Sequence, residues 1–491
     1  MSLALSLNNA LSGLTANGKR LEVTSTNLAN ALTDGYGKKS VEAGALVLDG
    51  NGTGVAVLGI SRAAVPELTA TRRQLDGEAA VATVSADGLG RLGQILGEAT
   101  DDDSLFRRVE DLETALRTLA ETPESEPRQT QAVEAARDLA ADLNAASNEV
   151  AIVRQNADAS IADEVDRINS NLQQIADMNA KILRFNAGRR DVSSLIDARE
   201  LLIDEVSASI PVRVHQRDGN VVHLTTAQGL SVVAETASTL EFTRTPVITT
   251  PMIYDPAGGG ALSGLTLHGI DITPSSGHPQ SIIGGSLAGH FSVRDESAPE
   301  VLAQIDQFSA DLIARFEDPA VDPTLAAGDP GLFTDGGGAL DPLTIDGLAG
   351  RITINVAVDP AQGGISSRLR DGLQSVAAGP LANDTTVRNY LDALTAPRSA
   401  ATIPGIDGTL GAAGMVSAIT EALGVLRTSA ETDAATRNAT RETLATTEAQ
   451  EIGVNTDEEL AFLIQVEQAF AANAQVIQAT SRMFQEVVEL R

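Results

Sequence analysis

The 491-residue chain has no cysteine and no tryptophan, and aromatic residues make up only 3% of it. Without cysteine there is no disulfide and no thiolate metal site; such a chain suits passage through an oxidising compartment. Without large aromatics the interior must be filled by aliphatic side chains, alanine above all, which favours helix packed on helix over a wide β core. Cations are scarce as well: 35 Lys and Arg stand against 66 Asp and Glu, a formal net charge of −31. Nucleic acid and anionic membrane surfaces are held by clustered Lys and Arg, so neither is an expected partner. We expect no apolar run of bilayer length. Residues 1–14 contain no basic side chain, and Asn8, Asn9 and Ser12 interrupt their apolar pattern. That is unlike a cleavable secretory leader, so the chain is expected to be cytoplasmic or exported uncleaved.

What the chain does have is periodicity. Leu7, Leu14, Leu21 and Leu28 recur every seven residues near one end, and Leu463, Phe470, Ile477 and Phe484 do so near the other. A straight helix drifts by about 20° per heptad, so strict seven-residue stripes predict supercoiling against another helix. Periodicity alone leaves open an intramolecular helical hairpin or a coiled coil between subunits. The first helix is predicted over 3–32, with Gly35 as its stop. The last is predicted over 457–490, with Asp457, Glu458 and Glu459 where the helix dipole favours acids.

Between the ends, Leu105, Val109, Leu112, Leu116 and Leu119 step as a helix that Pro123 and Pro127 break. A second helical stripe runs from Ile161 to Ile182, interrupted by Asn179, a polar residue of the kind that fixes register in a helical seam. At Pro211 the period changes from 3.6 to 2, and Asp218-Gly219-Asn220 marks a hairpin. Helix returns over 299–316, and Ile352, Ile354, Val356 and Val358 alternate as one strand. At the usual size of roughly 100–200 residues per domain, this length allows about three or four domains.

The run Asn27-Leu28-Ala29-Asn30, followed by Thr33-Asp34-Gly35-Tyr36, resembles the N-terminal signature of bacterial flagellar rod, hook and hook-associated proteins. Gly453-Val454-Asn455-Thr456-Asp457-Glu458-Glu459-Leu460, continuing through Phe470, Asn473 and Ile477 to Met483, resembles the C-terminal helix of the same family. The stretch Leu195-Ile196-Asp197-Ala198-Arg199-Glu200, running on to Gly219-Asn220-Val221, is similar to the hook-associated members. Three departures stand out: Gly37-Lys38-Lys39 where the family commonly has a basic or Gln pair soon after Gly-Tyr, Phe470 where it commonly has Tyr, and a short β insertion.

The resemblance implies a mainly α, elongated multidomain axial protein with a β-rich insertion. Its N- and C-terminal helices would pair as a coiled-coil-like layer. Residues 1–66 with 451–491 would form the terminal helical assembly domain. Residues 67–210 with 299–450 would form a helical bundle body with short strands near 345–360, and 211–298 a small β-rich outer domain. It also implies a structural role in the junction layer between hook and filament, with another axial role in hook or distal rod as the alternative. The implied partners are a homo-oligomeric ring, the hook protein, the next hook-associated protein and filament, and an export chaperone on the C-terminal helix. The implied location is the extracellular flagellum, reached without a cleaved signal peptide. The residues it makes candidates for subunit contact are Leu7, Leu14, Leu21, Asn27, Leu28, Asn30, Gly35, Tyr36, Leu463, Phe470, Asn473, Ile477 and Phe484. For Tyr36, ordinary partial burial stands beside a subunit contact.

No chemistry competes with that reading. The histidines (His215, His223, His268, His278, His290) lack ligand spacing, so no metal or other cofactor is expected. Asp101-Asp102-Asp103 reads as a solvated turn. The glycines around Gly50–Gly54 and Gly258–Gly260 lack the lysine and strand-to-helix context of a phosphate loop, and no nucleophile elbow occurs. No catalytic residue is assigned.

Overall fold

A computed structural model describes residues 3–48, 51–98, 101–188 and 190–489; Gly50 lies outside them. In chain order the elements are α1 (Leu3–Ala29), β1 (Lys39–Leu48), β2 (Asn51–Arg62), α2 (Pro66–Leu96), α3 (Leu105–Glu121), α4 (Glu126–Ala187) and α5 (Ser193–Ser209). The strands β3 (Val212–Arg217), β4 (Val221–Thr226), β5 (Ser231–Val233), β6 (Leu240–Glu241), β7 (Thr266–Leu267) and β8 (Ile270–Asp271) follow. Then come α6 (Gly285–Ser292), a π-helical turn (Val293–Ser297), α7 (Ala298–Phe316), β9 (Phe333–Asp335), β10 (Ile352–Ile354), α8 (Arg368–Asp371) and α9 (Thr385–Thr395). The chain ends with β11 (Arg398–Ser399), β12 (Thr409–Leu410), α10 (Ala412–Ile452) and α11 (Thr456–Glu489). Helix dominates, and every sheet has two or three strands.

The chain divides into two compact units, one of residues 1–79, 166–239 and 437–491, the other of 80–165 and 240–436. The strand-bearing stretch is therefore shared: β3–β5 belong to the first unit and β6–β8 to the second.

In the first unit α1 and α11 pack antiparallel, since Gly13 meets Asn473 while Asn27 meets Glu459. β1 and β2 form an antiparallel hairpin with two bulges, laid on α1 through Ser12, whose hydroxyl accepts from Val55 N at 3.1 Å. Ile168, Leu172, Ile175 and Ile182 of α4 are buried, as are Ile203 and Val206 of α5 and Val222 and Leu224 of β4. Asn179 does something other than set a coiled-coil register. Its amide donates to Val222 O (2.8 Å) and accepts from Val222 N (3.2 Å), so it pairs with β4 as a further peptide group would.

The second unit has one large core. Leu105, Val109, Leu112, Leu116 and Leu119 of α3 are buried in it together with Leu302, Ile305, Phe308 and Phe316 of α7. Ser104 caps α3 by accepting from Arg107 N. Phe316 stacks near Phe333 and Tyr390, with ring centroids 5.4 and 5.6 Å away. In a chain without tryptophan, the bulkiest fully buried side chains among the described residues are arginines: Arg154, Arg294 and Arg315 in this unit, and Arg199 in the first. Arg315 donates to the carbonyls of Ala393, Ala396 and Leu410, fixing the segment after α9 to α7.

Two expectations are corrected. The predicted strand from Ile352 to Val358 stops at Ile354, because Asn355 turns the chain. Its side chain donates to Gly331 O, and its carbonyl accepts from Val358 N. The expectation of no bilayer-length stretch is also qualified: within 412–486 an 18-residue window, though interrupted by polar residues, reaches mean hydropathy 1.2 and is almost wholly exposed.

Truncation of Phe316 to Ala removes the ring that joins α7, β9 and α9. Stability should fall by about 3–5 kcal/mol, seen as a lower urea midpoint in far-ultraviolet circular dichroism. The three tyrosines give a second expectation. Burial, reinforced by Asp197 and Glu459, pushes Tyr36 up to about 12. Burial and Asp271 push Tyr254 to about 12, and burial beside Asp322 drives Tyr390 well above 10. Phenolate absorbance should thus stay low through pH 10 in the native chain and rise near pH 10 in urea. The folded state keeps these protons longer, so the stability they contribute is complete below about pH 10 and is lost as the pH rises through 12.

Candidate assembly site

α1 ends at Ala29, three residues earlier than predicted, and the chain turns through 30–37 into β1. Asn30 holds the helix end by donating to Thr26 O, and Thr33 donates back to Asn30. Gly35 adopts φ +73°, and a Cβ there would strike Leu201 at 2.4 Å, so backbone and space both require glycine.

Asn27 is buried at the centre of this turn. Its Nδ2 donates to Lys39 O (2.8 Å) and Glu459 Oε2 (3.2 Å). Its Oδ1 accepts from Lys39 N (3.1 Å) and Tyr36 Oη (2.8 Å). A primary amide has two donors and two acceptor sites, and all four are used inside the chain. Removing one partner would leave a buried polar group unpaired, at about 1–3 kcal/mol.

The turn is tied to α5 and α11 by charge. Asp197 accepts from Arg62 Nε (2.5 Å) and Gly37 N (3.3 Å), and its other oxygen lies 3.1 Å from Lys39 Nζ. Lys39 also sits over the Tyr36 ring, 4.6 Å from its centroid. Lys38 Nζ lies 3.3 Å from both Glu458 and Glu459, and Lys38 N donates to Ile452 O. Behind α5, Arg73 pairs with Glu200 and Asp204, and Arg72 pairs with Asp76, Asp204 and Glu448 of α10. Breaking one partner of a buried pair such as Lys39–Asp197 costs about 3–5 kcal/mol.

The sequence candidates therefore sort by position. Asn27, Asn30, Gly35 and Tyr36 are brought together in the turn. The inner line of α1 is Ala10, Gly13, Asn17, Arg20, Thr24 and Asn27, of which Ala10, Asn17, Thr24 and Asn27 are buried. The leucine stripe lies beside that line: Leu7, Leu14 and Leu28 are half-buried and Leu21 is 40% exposed. On α11 the inner line is Glu459, Val466, Asn473 and Thr480. Leu463 and Ile477 flank it half-buried, while Phe470 and Phe484 are 38% and 40% exposed. The intramolecular seam is thus small and polar, and much of the apolar heptad is left uncovered.

Sequence reasoning noted Lys38 and Lys39 only as the pair after Gly35-Tyr36, Asp197 only as part of the hook-associated stretch and Glu459 only at a helix start, and it missed Arg62. One signal was available: the chain has four lysines, and two of them are adjacent at 38 and 39. Among the described residues no cluster of His, Cys, Asp or Glu could hold a metal ion.

Three family models match in chain order. They are the flagella basal body rod protein model over residues 7–36, the flagellar hook-associated protein FlgK helical domain over 89–329, and the flagellar basal body rod FlgEFG protein C-terminal model over 451–490. The flagellar hook-associated protein 1 of Escherichia coli K12 is 26% identical over 234 residues, 46% of this chain and 42% of that protein. In that match the chain spans less than half the relative's length. The Bacillus subtilis 168 protein of the same name is 22% identical, over 99% of this chain and 98% of its own. Among solved structures, the flagellar hook junction protein FlgK from Burkholderia pseudomallei aligns at TM-score 0.44 with 20% identity, over 55% of this chain and 47% of that one. The two terminal models fall on the helices that the Asn27 turn joins, with the helical-domain model between them: the chain belongs to the flagellar rod, hook and hook-associated protein family, on its hook-associated branch.

Proposed function

We infer that the chain is a structural subunit of the junction between flagellar hook and filament. One observation carries the reading. The terminal helices, which bear the family signatures, pair through small and polar residues and leave Leu11, Leu21, Ile464, Phe470, Met483 and Phe484 exposed. Each such side chain gains about 1.5–3 kcal/mol when fully buried, and large exposed apolar patches mark interaction surfaces.

In this reading residues 1–66 and 451–491 form the assembly layer. Copies of the chain close into a ring there, with hook protein on one side and the next hook-associated protein, leading to the filament, on the other. The subunit reaches this place by export. Before assembly an export chaperone covers the C-terminal helix, the most apolar exposed segment. No catalytic step belongs to this role.

Replacing Phe470 and Ile477 together with Ala should leave the second unit folded and reduce incorporation at the junction by at least about ten-fold, scored by immunogold labelling of isolated hook–basal bodies. Unchanged incorporation would remove the helix-packing account. Deleting the gene should give hooks without filaments and flagellin shed into the medium. Absent hooks would move the protein to the rod or hook, and intact filaments would refute an axial role.

A further inference from the structure

The heptad stripes of α1 and α11 repeat, and a repeating pattern does not choose its own register. The close contacts Asn27–Glu459 and Gly13–Asn473 define one antiparallel alignment, in which Arg20 falls opposite Val466. Slide α11 by seven residues and the apolar stripes coincide again, because Leu7, Leu14, Leu21 and Leu28 on one helix and Leu463, Phe470, Ile477 and Phe484 on the other recur at that interval. The small residues of the seam add little discrimination, since alanine and glycine accommodate many neighbours. Among the polar residues of the seam, Asn27 and Glu459 share a hydrogen bond across the two helices, and that pair does not repeat at the heptad interval. In the slipped alignment Asn27 faces Val466, its Nδ2 loses a carboxylate acceptor, and the buried Glu459 loses Asn27.

We propose that Asn27 and Glu459 are positioning residues that set the register of the terminal helix pair, and so decide which apolar side chains face outward for assembly. Asn27 is suited to this because its four hydrogen-bonding sites are filled at once by α1's own turn (Lys39 N and O, Tyr36 Oη) and by α11 (Glu459 Oε2). The turn is in turn fixed to α5 through Asp197, Arg62 and Lys39, so the amide cannot follow a sliding helix. Glu459 is held from its other side by Lys38. A single polar pair at an otherwise apolar or small seam specifies register in coiled coils by the same physics. The consequence for the proposed function is that Asn27 acts through the placement of Phe470 and its neighbours and has no hydrogen-bonding capacity left for a neighbouring subunit. This rests on that reading only for its consequence; the register itself is a property of the isolated chain.

The absence of native cysteine allows a direct test in the full-length protein under mild oxidation. Gly13→Cys with Asn473→Cys reports the observed register, and Arg20→Cys with Asn473→Cys reports a slip of one heptad. The first pair should cross-link and the second should not. Introducing Asn27→Leu or Glu459→Leu should lower the ratio of the first cross-link to the second by at least about ten-fold. Glu459→Gln, which keeps an acceptor for Asn27, should retain it. Circular dichroism on each variant separates slipping from unfolding, because a slipped pair keeps its helix content. An unchanged ratio in both leucine variants, or no cross-link from the first pair in the parent background, overturns the proposal. Since the readout involves no hook or filament, it stands or falls apart from the junction assignment.

Discussion

The antiparallel contact between the first and last helices governs the rest of the first unit. Asn27 and Glu459 are 432 residues apart in sequence, yet they share a hydrogen bond. Closing a flexible loop of that length costs on the order of 5 kcal/mol beyond the constant term, which a seam of alanine, glycine, asparagine and threonine would struggle to offset. Order in the intervening chain lowers that cost. The charged contacts of α5 with the β1–β2 hairpin and α2 contribute to this order: Asp197 receives the hairpin base and the turn, Glu200 and Asp204 hold Arg73, and Arg72 of α2 bridges Asp204 to Glu448 of α10. With those ionic contacts in place, the helix pair closes against an ordered chain at a smaller entropic cost.

The same poverty of aromatics that shapes the seam shapes the core of the second unit. Large volumes that tryptophan would fill are taken by arginine, whose aliphatic stem packs while its planar head reaches backbone carbonyls. Arg154 donates to Arg294 O and Met252 O. Arg294 lies between the rings of Phe242 and Phe291 and pairs with Asp158 and Asp295. Irregular segments such as 240–265 and 393–410 have few backbone partners of their own, so each needs a donor supplied from a helix. Acidic partners keep these buried cations satisfied, which accounts for some of the aspartate in a chain this acidic.

The elements that depend on local periodicity were legible in the sequence. The α3 stripe, the helix of 298–316, the hairpin at Asp218-Gly219-Asn220 and the pairing of the terminal helices all follow from spacing and turn chemistry. What could not be read was decided by single side chains reaching far along the chain. The strand begun at Ile352 was cut short by Asn355, and Asn179 paired with the backbone of a strand while also accepting from Arg199 of α5. At the candidate site the motif residues were recognised, but their meeting with Lys38, Lys39, Arg62 and Asp197 was not, because those residues come from three separate segments. The heptad leucines were read as the seam because leucine is the usual seam residue. The structure instead uses the line beside them, where smaller residues let two helices approach closely and polar ones find partners.

That choice has a physical logic. Had Leu7, Leu14, Leu21 and Leu28 packed against Leu463, Phe470, Ile477 and Phe484, the helix pair would be strongly stable alone and would present a polar exterior with nothing left to assemble on. With Ala10, Gly13, Asn17 and Thr24 inside, the pair is joined by close contact and by the Asn27–Glu459 hydrogen bond, and its apolar residues remain partly in water. The hydrophobic effect, which is non-directional, is thereby kept for contacts between molecules, where buried area sets strength. Hydrogen bonds, which are directional and costly to leave unmade, are used within the molecule, where they fix one geometry. Strength and specificity are thus assigned to different residues on the same two helices.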